Sequence, residues 1–161
     1  PGVGGGGQGE AGKTASQVRA DGAHQRLREL RVQAVRGDSH RVLAACAQCL
    51  RSQLRESDVL ARFGGEEFVV YLPDTPADAA GVTAQRLCDA VARLNVATDA
   101  GPLGATVSIG LACIRKAGGN WTQWQHLADQ ALYEAKRQGR NRVVAADQLP
   151  PTAEPADASK P

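Results

Sequence analysis

One stretch of the 161-residue chain, Arg62–Phe68 (RFGGEEF), combines two adjacent glycines with two adjacent carboxylates. Apolar runs flank it on both sides, and with the glycines they predict a β-hairpin that carries the motif at its turn. Glycines leave the backbone open to a ligand, and paired carboxylates suit a Mg²⁺-bound triphosphate. An ordinary solvated turn is the alternative interpretation. Residues elsewhere in the chain must decide between the two.

A basic pair near the C-terminus is the second candidate for chemistry. It lies in Asp129–Asn141 (DQALYEAKRQGRN), where Lys136 and Arg140 are four residues apart. Both can project from one side of a helix end and neutralise successive phosphates. The alternative is that they only complement the negative end of the helix macrodipole.

A third candidate precedes the hairpin. Arg55 and Asp58 are three residues apart at a predicted helix-to-strand junction. One interpretation is a local ion pair, and the other is that the two residues bind a guanine edge and a phosphate.

The elements that must position these residues follow from hydrophobic periodicity. Helices are predicted from Val42 to about Leu54, from Pro76 to about Leu94, and from Asn120 or Thr122 to Gln138. Strands are predicted at Asp58–Phe63, Glu67–Leu72, Ala105–Ile114 and Arg142–Ala146. This order predicts an α+β sandwich with helices packed on a largely antiparallel sheet. His24–Arg36 is expected to be a solvated helix or an unstructured arm, and the Gly-, Asp- and Pro-rich residues after Leu94 a loop.

Composition excludes several classes of function. The net charge of +2 is too small to indicate nucleic-acid or membrane-surface binding. No apolar run approaches the roughly 20 residues that a membrane span needs. The four cysteines include a CxxC at Cys46 and Cys49, but it lies within a helical apolar pattern and has no partner motif. Structural cysteines are therefore favoured over a zinc or redox site.

The segments RESDVLARFGGEEFVVYLPDT, TVSIGLA and DQALYEAKRQGRN, in this order and spacing, closely resemble the GGDEF family of diguanylate cyclases. The resemblance runs from about Val42 to Asp147. It implies a nucleotidyl cyclase or palm-like (ferredoxin-like) sandwich that condenses two GTP molecules into cyclic di-GMP and pyrophosphate. It further implies Mg²⁺ or Mn²⁺ as cofactor, a homodimer, an upstream sensory or regulatory domain, and a cytoplasmic location.

The resemblance also implies roles for individual residues. Gly64–Gly65 would lie against the nucleotide, with Glu66 as a metal ligand and general base and Glu67 as a further metal and nucleotide contact. Lys136 and Arg140 would hold the phosphates.

A separate, inhibitory site is implied for the product. Arg55 and Asp58 match the RxxD motif to which family members bind cyclic di-GMP. Arg86, on the following helix, is a candidate second contact there.

Residues 1–40 do not match the family. Its first strand, which resembles DxDxFK and supplies a metal-bridging aspartate, is expected to be missing. Residues 1–40 are therefore expected to be disordered or not authentic domain sequence, 41–147 a partial GGDEF domain, and 148–161 a disordered Pro- and Ala-rich tail. Asp38 is a doubtful guanine contact, because His40 occupies the expected position of that aspartate.

Two functional expectations follow from this partial match. The chain is expected to show little or no cyclase activity because one metal aspartate is lacking. The alternative is a non-catalytic module that binds cyclic di-GMP through Arg55–Asp58 or dimerises with an intact partner.

Overall fold

The computed structural model describes residues 27–35, 40–99, 101–114 and 121–149. Its helices are α1 (His40–Ser52), α2 (Ala77–Ala92) and α3 (Trp121–Arg137), and a short 3₁₀ turn covers Ala146–Gln148. Its strands are β1 (Leu27–Val35), β2 (Val59–Gly64), β3 (Glu67–Leu72), β4 (Asn95–Thr98), β5 (Gly101–Gly104), β6 (Thr106–Ile114) and β7 (Val143–Ala145). The three predicted helices and four predicted strands are confirmed within a few residues at each end.

Five strands form one sheet in the order β2-β3-β1-β6-β7. All its neighbouring pairs are antiparallel except β6 and β7, which run parallel. The predicted α+β sandwich with a mainly antiparallel sheet is therefore confirmed. Among the described residues, no helix is both long and apolar enough to cross a membrane.

The expectation that the first strand is missing is wrong. Leu27–Val35 forms β1 at the centre of the sheet, paired with β3 on one side and β6 on the other. Weak helical spacing suggested a helix here, but Leu30, Val32 and Ala34 also alternate at the period of a strand. Pairing on both edges satisfies the backbone groups of β1, and Leu30 is completely buried. The remaining residues of the 1–40 segment, apart from His40, and residues 150–161 of the tail lie outside the described part.

A second correction concerns the residues after α2. The predicted loop is a two-stranded ribbon in which β4 and β5 pair antiparallel. Thr98 pairs with Gly101, which has a φ of +104°, and the Thr98 hydroxyl donates to the Gly101 carbonyl at 2.6 Å. Short strands rich in Gly and Pro lack the apolar alternation that would have predicted them.

The sheet is covered on both faces. Helices α1 and α2 pack on one face against a core that includes Leu30, Val70 and Ile109. Helix α3 packs on the other face, where a Cβ placed on Gly110 would lie 2.2 Å from the Ala128 carbonyl oxygen. Gly110 therefore allows the backbone of α3 to approach the sheet closely, and this approach fixes the depth at which α3 lies on the sheet.

Candidate functional site

The RFGGEEF stretch forms the predicted hairpin. Gly64 and Glu67 pair across it, so Gly65 and Glu66 make the turn, and a register shift between Arg62 and Gly64 leaves Phe63 as the extra residue of a bulge. Gly65 has φ of +48°, a left-handed conformation that suits glycine. The Arg62 Nε donates to the Gly65 carbonyl at 2.9 Å and so holds the turn from its own strand. Sequence reasoning missed this role of Arg62.

The two glycines of the turn leave open space outside the chain. A Cβ built on either Gly64 or Gly65 would meet no atom within 4 Å. Gly65 is explained by its positive φ, but Gly64 has neither a positive φ nor a close neighbour that excludes a side chain. The packing of the chain thus gives no reason for a glycine at position 64, whereas the approach of a ligand to the backbone would. Glu66 is exposed beside this space, and Glu67 is half-buried.

The basic candidates lie where α3 ends. The Gly139 N–H donates to the Lys136 carbonyl at 3.3 Å and the Arg140 N–H to the Ala135 carbonyl at 3.0 Å. These two bonds, with Gly139 at φ of +113°, form a Schellman cap, so the predicted helix stop at Gly139 is confirmed. Arg140 follows with φ of +62° and is exposed, while Lys136 is half-buried. The two basic residues therefore sit on either side of a fixed turn.

Two further contacts hold that turn in place. The Cys88 thiol of α2 lies 3.4 Å from the Val107 carbonyl and 3.6 Å from the Asn141 side-chain oxygen, so its one proton is shared between these acceptors. The Arg142 Nε donates to the Arg140 carbonyl at 3.2 Å. Neither residue was singled out from the sequence, because contacts to a loop from another element leave no spacing pattern.

The sheet register brings the hairpin turn and the basic turn to one edge. Glu67 pairs with Gln33, Val35 pairs with Thr106, and Ile109 lies beside Val143. The turn of the β2–β3 hairpin, the end of β1, the start of β6 and the residues before β7 therefore lie at the same end of the strands. We call this end the nucleotide edge, after the ligand that we propose for it. Strands β1 and β6 separate β3 from β7, a lateral distance of roughly 14 Å.

The Arg55–Asp58 pair lies at the opposite end of the hairpin. Asp58 immediately precedes β2, whose six residues span roughly 20 Å between this pair and the Gly64–Gly65 turn. The Asp58 carboxylate is buried and accepts the backbone N–H of Arg55 at 2.8 Å, while the Asp58 N–H donates to the Arg55 carbonyl at 3.2 Å. The pair is thus a closed turn and not an ion pair between side chains, and the Arg55 side chain is exposed.

Arg86 of α2 lies beside the same loop. One of its terminal nitrogens donates to the Gln53 carbonyl at 2.9 Å, two residues before Arg55. Asp38, the doubtful guanine contact, falls outside the described residues.

Among the described residues of the nucleotide edge, the carboxylates do not complete a two-metal site. Glu66 and Glu67 can hold one ion together with substrate phosphates, as Mg²⁺ sites commonly do. A two-metal site needs further carboxylates shared between the ions, but Gln33–Val35, the β1 residues at this edge, carry none. Glu29, the acidic residue of β1, pairs with Tyr71 toward the other end of the sheet. Across the described ranges no group of three potential ligands could hold a metal ion.

The cysteines of the CxxC are free, and Cys46 is buried in the core. Burial raises the pKa of the Cys46 thiol, and the neighbouring Cys49 raises it further. Burial also raises the pKa of Cys49, against a smaller lowering by Arg93. Raised pKa values disfavour the thiolate that redox chemistry and zinc binding need, which supports the structural interpretation.

Sequence comparisons place this geometry among known proteins. The family model described as "Diguanylate cyclase, GGDEF domain" matches residues 36–142. Over 103 residues the chain is 38% identical to Diguanylate cyclase A of Treponema denticola, covering 64% of this chain and 28% of that protein. Over 106 residues it is 42% identical to Diguanylate cyclase DgcP of Pseudomonas aeruginosa, covering 66% of this chain and 16% of that protein. The chain thus spans well under a third of these relatives.

Solved structures agree with the sequence relatives. The GGDEF domain of DgcB from Caulobacter crescentus in complex with c-di-GMP has a TM-score of 0.68 at 27% identity, over 76% of this chain and 79% of that one. The diguanylate cyclase SiaD, in complex with its activator SiaC from Pseudomonas aeruginosa, has a TM-score of 0.68 at 33% identity, over 74% of this chain and 50% of that one. Strand β1 lies before the residues that the family model matches.

Proposed function

The chain belongs to the GGDEF family of diguanylate cyclase domains, and from this premise we propose that its nucleotide edge binds GTP for condensation into cyclic di-GMP. The observation that carries the proposal is the shared nucleotide edge. The turn with its open glycines and two glutamates lies at the same end of the strands as Lys136 and Arg140. The open space at Gly64, which packing within the chain does not require, supports a ligand there.

Each residue has a defined part in the proposed reaction. Gly64–Gly65 admits the nucleotide against bare backbone, and Lys136 and Arg140 neutralise the phosphate oxygens. The 3′-oxygen of one GTP forms a bond to the α-phosphorus of the other, and the bond from that phosphorus to pyrophosphate breaks. Glu66 accepts the proton that the 3′-hydroxyl loses. Two such steps join two GTP molecules into one cyclic di-GMP and release two pyrophosphates.

A divalent cation, Mg²⁺ or Mn²⁺, is proposed at Glu66 and Glu67, where it would neutralise charge on the phosphates. Because β1 offers no carboxylate at the nucleotide edge, we expect this chain to bind GTP and to turn it over slowly or not at all.

The assembly follows from the same chemistry. Each proposed product molecule contains two nucleotides while one chain offers one nucleotide edge, so the active form is proposed to be a homodimer. The matched segment covers only 28% and 16% of the first two relatives, which leaves room in such proteins for the sensory or regulatory domain that we propose upstream. A cytoplasmic location, where GTP is available, belongs to the same proposal.

Product is proposed to bind at the opposite end of the hairpin, at Arg55, Asp58 and Arg86. The closed Arg55–Asp58 turn supports this because it presents the exposed Arg55 side chain at a fixed place. The cyclase relatives favour such a site within an enzyme over the alternative of a non-catalytic receptor.

The GTP site is tested by removing its basic residues. The double variant Lys136→Ala/Arg140→Ala should weaken GTP binding at least tenfold, since hydrogen bonds to charged groups contribute about 1.5–3 kcal/mol each. Binding is measured by calorimetry with Mg²⁺ present.

Arg137→Ala is the matched control, because Arg137 lies on the same helix end and contacts Glu134 at 3.6 Å. This variant should bind GTP like the wild type. Equal binding by the double variant and the control would refute the proposed phosphate contacts.

A further inference from the structure

The loop between α1 and β2 (residues 53–58), which we call the product loop, is held by arginines from two helices. From the last turn of α1, Arg51 donates through a terminal nitrogen to the Asp58 carbonyl at 2.8 Å. From α2, Arg86 donates to the Gln53 carbonyl at 2.9 Å. Arg86 therefore fixes the start of the product loop, and Arg51 fixes its end.

The Arg51 contact completes a turn that is already closed in two other ways. The Asp58 N–H donates to the Arg55 carbonyl, and the Asp58 carboxylate accepts the Arg55 N–H. These two bonds couple the position of the Arg55 backbone to that of Asp58. The bond from Arg51 holds Asp58 against the end of α1. A bond from a guanidinium to a carbonyl is charge-assisted and stronger than one between neutral groups. Arg51 thus helps to fix the position of the Arg55 Cα, from which the exposed Arg55 side chain extends.

Charge at this end of the molecule suits an anionic ligand. Arg51, Arg55 and Arg86 contribute three positive charges around the product loop, against two exposed carboxylates: Glu56 within the loop and Asp74, which follows β3 at the same end of the hairpin. The Asp58 carboxylate is 5% exposed and is satisfied within the turn. A ligand with two phosphates, such as a cyclic dinucleotide, matches this excess of positive charge.

We propose that Arg51 is a positioning residue of the product site: it holds the Arg55–Asp58 turn so that the Arg55 guanidinium meets a phosphate of cyclic di-GMP. This assignment rests on the product site proposed above. Arg51 acts through the Asp58 carbonyl and makes no contact with the ligand. The RxxD spacing by itself gives no indication of this role, because Arg51 lies four residues before the motif begins.

Titration of the chain with cyclic di-GMP at several salt concentrations tests the assignment. Arg51→Ala should weaken binding about tenfold through loss of a charge-assisted bond, and it should change the dependence of log Kd on log salt less than Arg55→Ala does. Arg55→Ala should weaken binding and also flatten that dependence, because it removes a direct ion contact with phosphate, which salt screens. Arg51→Lys, which keeps one charged donor, should bind with intermediate affinity.

The matched control is Arg41→Ala, at the other end of α1, where Arg41 contacts Asp99 at 3.1 Å. It should bind cyclic di-GMP like the wild type. If Arg51→Ala does not fold, as a thermal melt would reveal, Arg51→Lys alone decides, and full wild-type affinity in that variant contradicts a geometric role for the guanidinium.

Three outcomes overturn the assignment in distinguishable ways. Wild-type affinity in a folded Arg51→Ala variant, with Arg55→Ala impaired, removes Arg51 from the site and leaves the product site standing. A salt dependence that is flattened in Arg51→Ala as much as in Arg55→Ala replaces positioning by a direct phosphate contact. No binding by the wild type refutes the product site and the part of Arg51 in it together.

Discussion

At the scale of single residues, the two adjacent glycines of the hairpin are glycines for different physical reasons. Gly65 adopts φ of +48°, which a residue with a Cβ reaches only with strain. Gly64 has room for a methyl group and an ordinary φ. If Gly64 is required by the nucleotide, substitution of Gly65 should change the stability of the protein, whereas substitution of Gly64 should change ligand binding.

Substitution by alanine at each position separates the two roles. Gly65→Ala should lower the free energy of unfolding by about 1–2 kcal/mol, the cost of a left-handed conformation. Gly64→Ala should leave the free energy of unfolding within about 0.5 kcal/mol of wild type and should weaken GTP binding. Urea unfolding and GTP titration measure the two quantities. Undiminished GTP binding by Gly64→Ala would show that the nucleotide does not approach this backbone.

At the scale of the elements, the position of α3 decides where the basic residues lie. Gly110 in β6 lets the backbone of α3 approach the sheet, and Lys136 and Arg140 stand at the end of that helix. A substitution at Gly110, where α3 contacts the sheet, should therefore also affect the positions of Lys136 and Arg140 at the end of that helix.

Gly110→Ala should destabilise the protein by about 3 kcal/mol or more, because the new methyl group meets backbone atoms of Ala128 and Leu132 that cannot move independently. Gly81→Ala is the matched control in the interior of α2, where a Cβ meets nothing within 4 Å. It should raise the free energy of unfolding by about 0.5–1 kcal/mol through helix propensity. Urea unfolding of both variants checks the pair, and equal stability of the two would contradict the packing assigned to α3.

The same scale explains how much the sequence could predict. The three helices and the hairpin were predictable because each has a clear apolar period or turn signal. Strand β1 was not predictable, because arginines and a glutamine stand between its apolar residues and obscure their alternation. Among its described side chains, Leu30 is buried. The ribbon of β4 and β5 has no apolar alternation at all.

Site residues follow the same division. The glutamates, the basic pair and the RxxD turn carry a spacing that sequence can reveal. The contacts that hold them, such as Arg62 on the Gly65 carbonyl and Arg51 on the Asp58 carbonyl, do not. Every residue type has a backbone carbonyl, so a side chain that donates to one can have almost any residue as its partner. The sequence therefore contains no pair of residue types that would indicate such a contact.

At the scale of the whole molecule, two sites are proposed at opposite ends of one hairpin. The nucleotide edge has its glutamates and basic residues in place, but the central strand reaches that edge as Gln33–Val35, without a carboxylate. The family fold is retained, and the proposed metal site at this edge has no carboxylate from β1. Binding of GTP and its turnover should therefore be separable in this chain.

Calorimetric titration of the wild-type chain with GTP in the presence of Mg²⁺ tests this most directly, because binding gives heat that saturates and turnover gives heat that continues. Saturable heat is predicted, with little sustained heat and little cyclic di-GMP in the cell afterwards. Absence of saturable heat would contradict the GTP site at the nucleotide edge. Sustained heat with abundant cyclic di-GMP would instead contradict the proposal that this chain turns GTP over slowly or not at all.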